Sequence, residues 1–185
     1  MTERENYFVK ELIHWLKALS FALVIFFFIN NVVIVRATVP TASMDPTIPA
    51  ESQIFGFRLS YIFSSPSRFD VIAFESPDGT DTRYIKRIIG LPGETVDIIK
   101  GQVFINGSGE ALNEWYLLEA PAGVSLINQS FVVPDEHFFV MGDHRNNSRD
   151  SRGLCAQPWE NLFVPKGNII GRAIFIYAPS ISLIR

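Results

Sequence analysis

Ser43 lies in a segment whose residue types suit nucleophilic chemistry. Residues 41–49 read Thr-Ala-Ser-Met-Asp-Pro-Thr-Ile-Pro, so small residues flank the serine and prolines restrict the chain after it. Such a turn can present the serine hydroxyl at an exposed bend, although most Ser-x-x-Pro segments are simple turns. A serine hydroxyl becomes an effective nucleophile only when a neighbouring base removes its proton. A base elsewhere in the chain is therefore the second requirement.

Lys86 and Arg87 are adjacent cations inside an apolar β-type run at 82–89. Successive side chains of a strand point to opposite faces, so one of the two cations must lie on a side that is otherwise lined by large apolar residues. A lysine placed there would be desolvated, which lowers its pKa and so increases the fraction of neutral amine. A general base must be in this neutral form. The alternative is that both cations lie at a solvated sheet edge, which is commoner for an arbitrary Lys-Arg pair.

The third candidate segment is the run at 141–152, Met-Gly-Asp-His-Arg-Asn-Asn-Ser-Arg-Asp-Ser-Arg. Its Asp, Asn and Ser side chains suit an ordered loop with internal ion pairs. It is not an EF-hand calcium loop, because Arg145 occupies the third ligand position and no glycine follows at the sixth. Taken alone, such a loop is structural more often than catalytic.

An apolar run near the N-terminus predicts a membrane anchor. Residues 18–35 contain no charged side chain, and eighteen helical residues span roughly 27 Å, near the thickness of a bilayer's hydrocarbon core. The run is long for a cleaved signal peptide and has no polar face for a helix at the edge of a soluble core. We therefore predict a cytoplasmic segment at 1–17 and one transmembrane helix at 18–36. Residues 5–17 form either a short interfacial helix or an extension of the anchor helix.

The charges that flank the apolar run predict its orientation. Arg4, Lys10 and Lys17 precede it, whereas Arg36 is the only basic residue among positions 36–55. An excess of Lys and Arg before the span predicts a cytoplasmic N-terminus and an extracytoplasmic C-terminal domain.

The rest of the chain, residues 37–185, has the pattern of a mainly β domain built from antiparallel sheets. Short β-type runs alternate with turn residues, and no helical stretch of ten or more residues stands out. Lys100-Gly101 between two such runs predicts a tight hairpin. The predicted strands are 53–59, 70–74, 82–89, 95–100, 102–106, 130–134, 137–141 and 168–179.

Composition excludes several function classes. The net charge is −3, and no basic face is large enough for a run of phosphates, which disfavours a nucleic-acid partner. The one cysteine, Cys155, forbids an intrachain disulfide and a Cys-based zinc site; we expect it to be a small loop or core residue, or alternatively a free thiol open to intermolecular pairing. The three histidines do not form a metal-ligand pattern, so neither a metal nor a cofactor is expected.

Together, these segments resemble the bacterial type I signal peptidases, which are membrane-anchored serine proteases with a Ser/Lys dyad. The resemblance covers nearly the whole chain, and any one of its motifs alone is weak, whereas five in the family's order are specific. Besides the anchor, the motifs are Ser-Met-x-Pro-Thr at 43–47, Arg-Phe-Asp-Val at 68–71, Tyr-Ile-Lys-Arg at 84–87 with Gly-Leu-Pro-Gly at 90–93, the loop at 142–152, and Ile-Ile-Gly-Arg-Ala at 169–173.

The resemblance implies a signal-peptidase-like fold and an endopeptidase in the cytoplasmic membrane that cleaves signal peptides from exported precursors after small residues in Ala-x-Ala-like segments. Its partners would be those signal peptides and the lipid bilayer. Ser43 would be the nucleophile, Lys86 the general base, and Ser148 the residue that orients Lys86. The Thr41 hydroxyl and the Ser43 backbone N–H would form the oxyanion hole. Loop-supporting roles are implied for Asp143, Arg145, and the ion pair of Asp150 with Arg152, and substrate pockets for Val39, Pro40, Met44, Ile48, Tyr84 and Ile85.

The chain departs from the family pattern at two places. His144 and Asn146 stand where Asn and Asp are common, and the segment 153–163 is longer than the usual link and lacks the frequent Trp/Phe-Gly after Arg152. Three alternatives remain open: a Ser/His/Asp triad using Asp143 and His144, a Ser/Lys self-cleaving repressor, and a catalytically silent, membrane-anchored β-domain acting as a binding or assembly module. The triad is disfavoured because adjacent residues point in different directions. The repressor is disfavoured because it needs a DNA-binding helical domain and no membrane span.

Overall fold

The computed structural model describes residues 3–153, 158 and 160–185. By internal packing the chain divides into two units, Met1–Ile34 and Val35–Arg185. Cys155 lies outside the described residues, as do residues 154, 156, 157 and 159 of the long segment after Arg152.

The N-terminal unit is a single long helix. An α-helix, α1, covers Glu3–Phe28 and runs directly into a π-helical turn at Ile29–Val33. Residues 5–17 therefore belong to the same continuous helix as the apolar run and do not form a separate one. The stretch Lys10–Val33 is long and apolar enough to cross a membrane, a property of its length and composition alone.

Two asparagines lie where the helix widens. The Asn30 and Asn31 amide groups each donate a 2.8 Å hydrogen bond to the carbonyl oxygen four residues earlier, which gives each amide nitrogen a partner within the helix. Helical structure ends at Val33, three residues before the end of the predicted span. The chain is extended from Ile34 (φ −101°, ψ 135°), in keeping with the β preference of the Ile-Val pair that begins the next strand.

The C-terminal unit contains a larger sheet of eight strands. Its order is β1-β2-β10-β3-β4-β8-β9, with β11 paired to β10. The strands are β1 (Ile34–Val39), β2 (Ser52–Phe57), β3 (Val71–Glu75), β4 (Arg83–Gly90), β8 (His137–Met141), β9 (Val164–Pro165), β10 (Ile169–Ala178) and β11 (Ser182–Leu183).

A smaller sheet of three strands has the order β6-β5-β7 and comprises β5 (Thr95–Ile99), β6 (Gln102–Ile105) and β7 (Gln129–Val132). The hairpin between β5 and β6 turns at Lys100 and Gly101, both with positive φ (50° and 82°). Two consecutive positive φ angles are typical of a two-residue type I′ turn, and Ile99 pairs with Gln102 across it.

The core beneath the larger sheet fixes the turn that carries Ser43. Met44 and Ile48 are fully buried and pack with Val39, Ile54 and Val71 in one apolar cluster. Burial of each such side chain stabilises the fold by about 1.5–3 kcal/mol. The turn after β1 is therefore held from below by its own apolar residues.

The prediction of a mainly β domain with antiparallel sheets is confirmed. All eight predicted strands are present, with ends within two residues of the prediction. Three strands were not predicted. Two of them, β9 and β11, have only two residues each, which is too short for an alternating pattern. The third, β1, continues the apolar run of the anchor, so its sequence does not separate strand from helix.

Candidate active site

Ser43 and Lys86 meet in the C-terminal unit. Lys86 Nζ lies 2.6 Å from Ser43 Oγ and also donates a 3.0 Å hydrogen bond to the Ile85 carbonyl oxygen. Ser43 follows β1 in a tight turn, in which Ile48 N–H donates to the Met44 carbonyl oxygen at 2.8 Å. Lys86 lies within β4 and pairs with Ile72 of β3. A regular strand and a packed turn thus place a hydroxyl and an amine within hydrogen-bonding distance.

Burial changes the chemistry of Lys86. Only 3% of the residue is exposed, and this desolvation lowers the pKa of its amine from 10.5 to about 8; the carboxylates of Asp150 and Asp143 oppose the shift, whereas Arg152 supports it. Within the described ranges, no carboxylate forms an ion pair with Lys86. At pH 7 about a tenth of the amine is therefore neutral, compared with less than a thousandth for an ordinary lysine. A neutral amine at this position can accept the serine proton.

Arg87 lies on the opposite face of β4 and is also fully buried. Its guanidinium makes a two-pronged ion pair with Asp143, from Nε to Oδ1 at 2.9 Å and from Nη2 to Oδ2 at 2.7 Å. It also donates to the Phe69 carbonyl oxygen and stacks 4.1 Å from the Tyr116 ring centroid. The alternative that both cations lie at a solvated edge is wrong, because both are buried. Among the described residues, only Arg87 of the two has a carboxylate partner.

Asp150 and Arg152 form an ion pair inside the loop at 142–152. Their closest atoms are 2.8 Å apart and both side chains are buried. Burial alone would raise the pKa of Asp150, but the charge and hydrogen bonds of Arg152 outweigh it and the pKa is lowered. Asp150 also accepts a hydrogen bond from Gly142 N–H, and Arg152 donates to the Arg145 carbonyl oxygen. The pair therefore ties both ends of the loop together.

Arg145 is held by residues outside the loop. It forms an ion pair with Glu114 and a hydrogen bond with the Tyr116 hydroxyl. Burial alone would lower the pKa of Arg145, but the hydrogen bond and charge of Glu114 raise it. Sequence reasoning missed both partners. In the sequence they appear only as a carboxylate followed by two aromatic residues in a segment without regular periodicity. Such a pattern does not predict contacts with Arg145, about thirty positions later.

Ser148 is close to the dyad but does not contact Lys86 by a hydrogen bond. Its Oγ is buried and faces the Asp150 carboxylate, whose pKa it helps to lower. The space between the two serine-bearing segments is very narrow at Gly142, where an added Cβ would lie 2.2 Å from Ser148 Oγ and 2.5 Å from the Ser43 carbonyl oxygen. Ser148 is thus packed against the backbone next to Ser43.

Thr41 lies at the open side of the nucleophile. Its Oγ1 donates a 3.3 Å hydrogen bond to Ser43 Oγ, and the residue is exposed. The hydroxyl therefore lies beside the atom that would attack a substrate carbonyl.

A cavity of about 170 Å³ opens next to the dyad between the end of β1 and the start of β4. Four of the residues that the resemblance implies for substrate pockets, Val39, Pro40, Tyr84 and Ile85, line this cavity. Met44 and Ile48 do not line this cavity, because they are buried beneath the turn. Three further lining residues were not expected: Thr38, Thr82 and Arg83.

Neither Asp143 nor His144 has the geometry of a catalytic triad with Ser43. The Asp143 carboxylate is occupied by Arg87. The His144 ring Nδ1 lies 3.2 Å from the Ala42 carbonyl oxygen, and its Nε2 lies 3.9 Å from Glu119. Asp143 therefore does not orient His144 as a base.

Comparisons with known proteins agree on one family. Residues 12–178 match the family model described as signal peptidase, peptidase S26. A probable signal peptidase I-1 from Synechocystis sp. is 38% identical over 182 residues, which cover 94% of this chain and 84% of that protein. Signal peptidase I S of Bacillus subtilis is 35% identical over 180 residues, covering 92% and 91%. A crystal structure of a signal peptidase I from Enterococcus faecalis V583, at 33% identity, covers 59% of this chain and 97% of that chain with a TM-score of 0.47.

Proposed function

Because this chain belongs to the signal peptidases of peptidase family S26, which are serine protease hydrolases, we propose that it removes signal peptides from exported precursors with a Ser43/Lys86 dyad. The observation that carries the proposal is the 2.6 Å contact between Ser43 Oγ and a buried lysine amine. A binding module would gain nothing from a lysine buried without an ion-pair partner, whereas a general base requires its low pKa.

The proposed reaction begins with proton transfer. Neutral Lys86 takes the proton of the Ser43 hydroxyl while Oγ attacks the carbonyl carbon of the scissile peptide bond. The resulting oxyanion accepts hydrogen bonds from the Ser43 backbone N–H and from the Thr41 hydroxyl. The Thr41 hydroxyl changes partner in this step, because Ser43 Oγ, to which it donates in the free protein, is now bonded to the substrate carbon. Lysine returns the proton to the leaving amine as the peptide C–N bond breaks. The same amine then takes a proton from a water molecule that attacks the acyl carbon, and it returns this proton to Ser43 Oγ as the bond between Oγ and the acyl carbon breaks.

We assign Ser148 a supporting role in this sequence. Its hydroxyl oxygen is buried beside Gly142 and faces the Asp150 carboxylate. A serine hydroxyl can donate one hydrogen bond and accept others, so Ser148 could donate to Asp150 and accept from the Lys86 amine when that amine moves away from Ser43 during acylation. Asp143, Arg145, Asp150 and Arg152 act at a distance by fixing the loop through buried ion pairs.

The substrate site that we propose is the cavity beside the dyad. A precursor segment in extended conformation would lie between the end of β1 and the start of β4, as an added strand. The cavity's modest volume of about 170 Å³, with Val39, Pro40 and Ile85 in its wall, favours small apolar side chains next to the cleaved bond. Ala-x-Ala-like segments meet this requirement.

Ser43→Ala is the direct test of the proposed nucleophile. We expect the full-length variant in detergent to release no mature product from a precursor with an Ala-x-Ala-like cleavage segment, because no other hydroxyl lies against Lys86 Nζ among the described residues. Ser65→Ala is the matched control, since Ser65 is exposed in a loop, and should cleave at the wild-type rate. Undiminished cleavage by Ser43→Ala would overturn the proposed mechanism.

We also propose that α1 anchors the chain in the cytoplasmic membrane with its N-terminus inside. Protease added outside spheroplasts is then expected to digest the domain 37–185 and to spare an epitope tag at the N-terminus, because the excess of basic residues precedes the apolar run. The measurement is an immunoblot with tags at both ends, with detergent-lysed spheroplasts as the control for full access. Loss of the N-terminal tag with retention of the domain would reverse the orientation.

A further inference from the structure

His144 contacts the peptide groups on both sides of the Ser43 α-carbon. Its backbone N–H donates a 3.2 Å hydrogen bond to the Ser43 carbonyl oxygen. Its ring Nδ1 lies 3.2 Å from the Ala42 carbonyl oxygen. Because a carbonyl oxygen can only accept, Nδ1 is the protonated nitrogen in this hydrogen bond.

The Ala42 carbonyl belongs to the same peptide unit as the Ser43 N–H. That unit is planar, and in the trans form its C=O and N–H point in opposite directions. A hydrogen bond that fixes the Ala42 carbonyl oxygen therefore fixes the direction of the Ser43 N–H, which is the backbone donor of the proposed oxyanion hole. The same oxygen also accepts from Asp45 N–H at 3.0 Å, so two donors hold it.

His144 is itself held by its neighbours in the chain. Asp143 is locked by Arg87, and Arg145 by Glu114, so the backbone on both sides of the histidine is anchored. The ring is only partly exposed (26%), and its Nε2 faces Glu119 at 3.9 Å. Neither ring nitrogen forms a hydrogen bond with Ser43 Oγ, so His144 is not placed to act as the base for Ser43.

We propose that His144 is a positioning residue that aims the Ser43 N–H at the oxyanion of the tetrahedral intermediate. The proposal rests on the proposed function of Ser43 as nucleophile. A donor to the Ala42 carbonyl also polarises the peptide unit and strengthens the N–H as a donor. Since the oxyanion exists only after attack, His144 acts on the transition state and leaves the binding of the uncleaved precursor unchanged.

The test compares His144→Leu with His144→Asn in the full-length protein. Leucine fills the ring's space without a donor, whereas the asparagine Nδ2 can occupy the position of the histidine Nδ1. We expect kcat for a precursor peptide to fall about tenfold in His144→Leu, which is less than the loss of a complete oxyanion-hole donor, while KM stays within twofold. His144→Asn should recover most of the lost kcat.

A second measurement follows the tetrahedral state directly. A substrate peptide that ends in an aldehyde forms a hemiacetal: Ser43 Oγ bonds to the aldehyde carbon, the serine proton passes to the Lys86 amine, and the former aldehyde oxygen becomes an oxyanion like that of the intermediate. Its inhibition constant should rise by the same factor as kcat falls in His144→Leu. Both assays are run well below the melting temperature of each variant, so that a less stable fold does not mimic the effect.

The outcomes separate this inference from the proposed function. If Ser43→Ala abolishes cleavage and His144→Leu keeps the wild-type kcat, the positioning role is overturned and the dyad stands. A fall in kcat that His144→Asn does not recover, or that leaves aldehyde inhibition unchanged, also overturns the role. If Ser43→Ala still cleaves, the proposed function fails whatever His144 does.

Discussion

Replacing Lys86 with methionine is expected to lower the cleavage rate by about 10²–10⁴-fold, the contribution of a positioned general base. Methionine keeps the apolar stem and fills the same buried space, but it cannot accept the Ser43 proton. In the wild type, kcat/KM should rise about tenfold per pH unit below pH 8 and level off above it, because the amine deprotonates with a pKa of about 8. The measurement is the initial rate of precursor cleavage in detergent from pH 6 to pH 9.5.

The same substitution is expected to stabilise the fold at neutral pH. The pKa of Lys86 falls from 10.5 in the unfolded chain to about 8 in the folded one, so the unfolded chain binds this proton more tightly. The contribution of Lys86 to stability is therefore fully present above pH 10.5 and is lost as the pH falls to 8, a difference of about 3 kcal/mol. Methionine has no proton to bind and avoids this loss.

Subtracting the two stability curves isolates the effect of one amine. The free energy of unfolding of Lys86→Met minus that of the wild type should be largest below pH 8 and shrink as the pH rises to 10.5. Lys166→Met is the matched control, because Lys166 is a surface lysine paired with Glu136, and it should change neither the rate nor the pH dependence. A flat pH profile of wild-type cleavage, or an active Lys86→Met variant, would contradict a lysine base.

Asp143→Asn is expected to destabilise the domain by about 3–5 kcal/mol. Both side chains of the Arg87–Asp143 pair are fully buried, and removing one partner leaves an uncompensated charge in a medium that solvates it poorly. The Thr47 hydroxyl, which donates to the same carboxylate, does not replace the lost charge. Chemical unfolding of the full-length protein in detergent, followed by circular dichroism, measures the change.

Two further variants make this result specific. Asp135→Asn changes the same residue type at an exposed position and should alter stability by less than about 0.5 kcal/mol. The double variant Arg87→Met/Asp143→Leu removes both charges and should regain much of the lost stability. If Asp143→Asn were as stable as the wild type, the ion pair would not be what holds the loop at 142–152 against β4.

Local patterns in the sequence predicted the strands well because their causes are local. The Lys100-Gly101 turn follows from backbone preferences of two residues, and the alternation around Lys86 follows from the geometry of one strand. That alternation required at least one cation on an apolar face. It could not predict that both are buried, because the carboxylate that neutralises Arg87 comes from Asp143, more than fifty residues later.

The candidate site was predicted less completely where tertiary packing decides the position of a side chain. The resemblance placed Met44 and Ile48 in substrate pockets, but the turn that joins them by a backbone hydrogen bond points both side chains into the core. Glu114 gave no periodic signal, and its role depends on an irregular segment that reaches Arg145. Ser43 and Lys86 could be named because they stand within recognisable motifs, and Thr41 because it lies two residues before Ser43.

The tight clearance at Gly142 has a consequence for how this centre tolerates variation. A glycine is required here because neighbouring segments of the chain leave no room for a side chain, and not because of its own backbone angles. A single methyl group would collide with Ser148 Oγ and the Ser43 carbonyl oxygen. Replacement of Gly142 by alanine, which substitution tables rate as mild, would push the segments that carry Ser43 and Ser148 apart. Gly142, which has no reactive group, thereby sets the distance between the segments that carry Ser43 and Ser148.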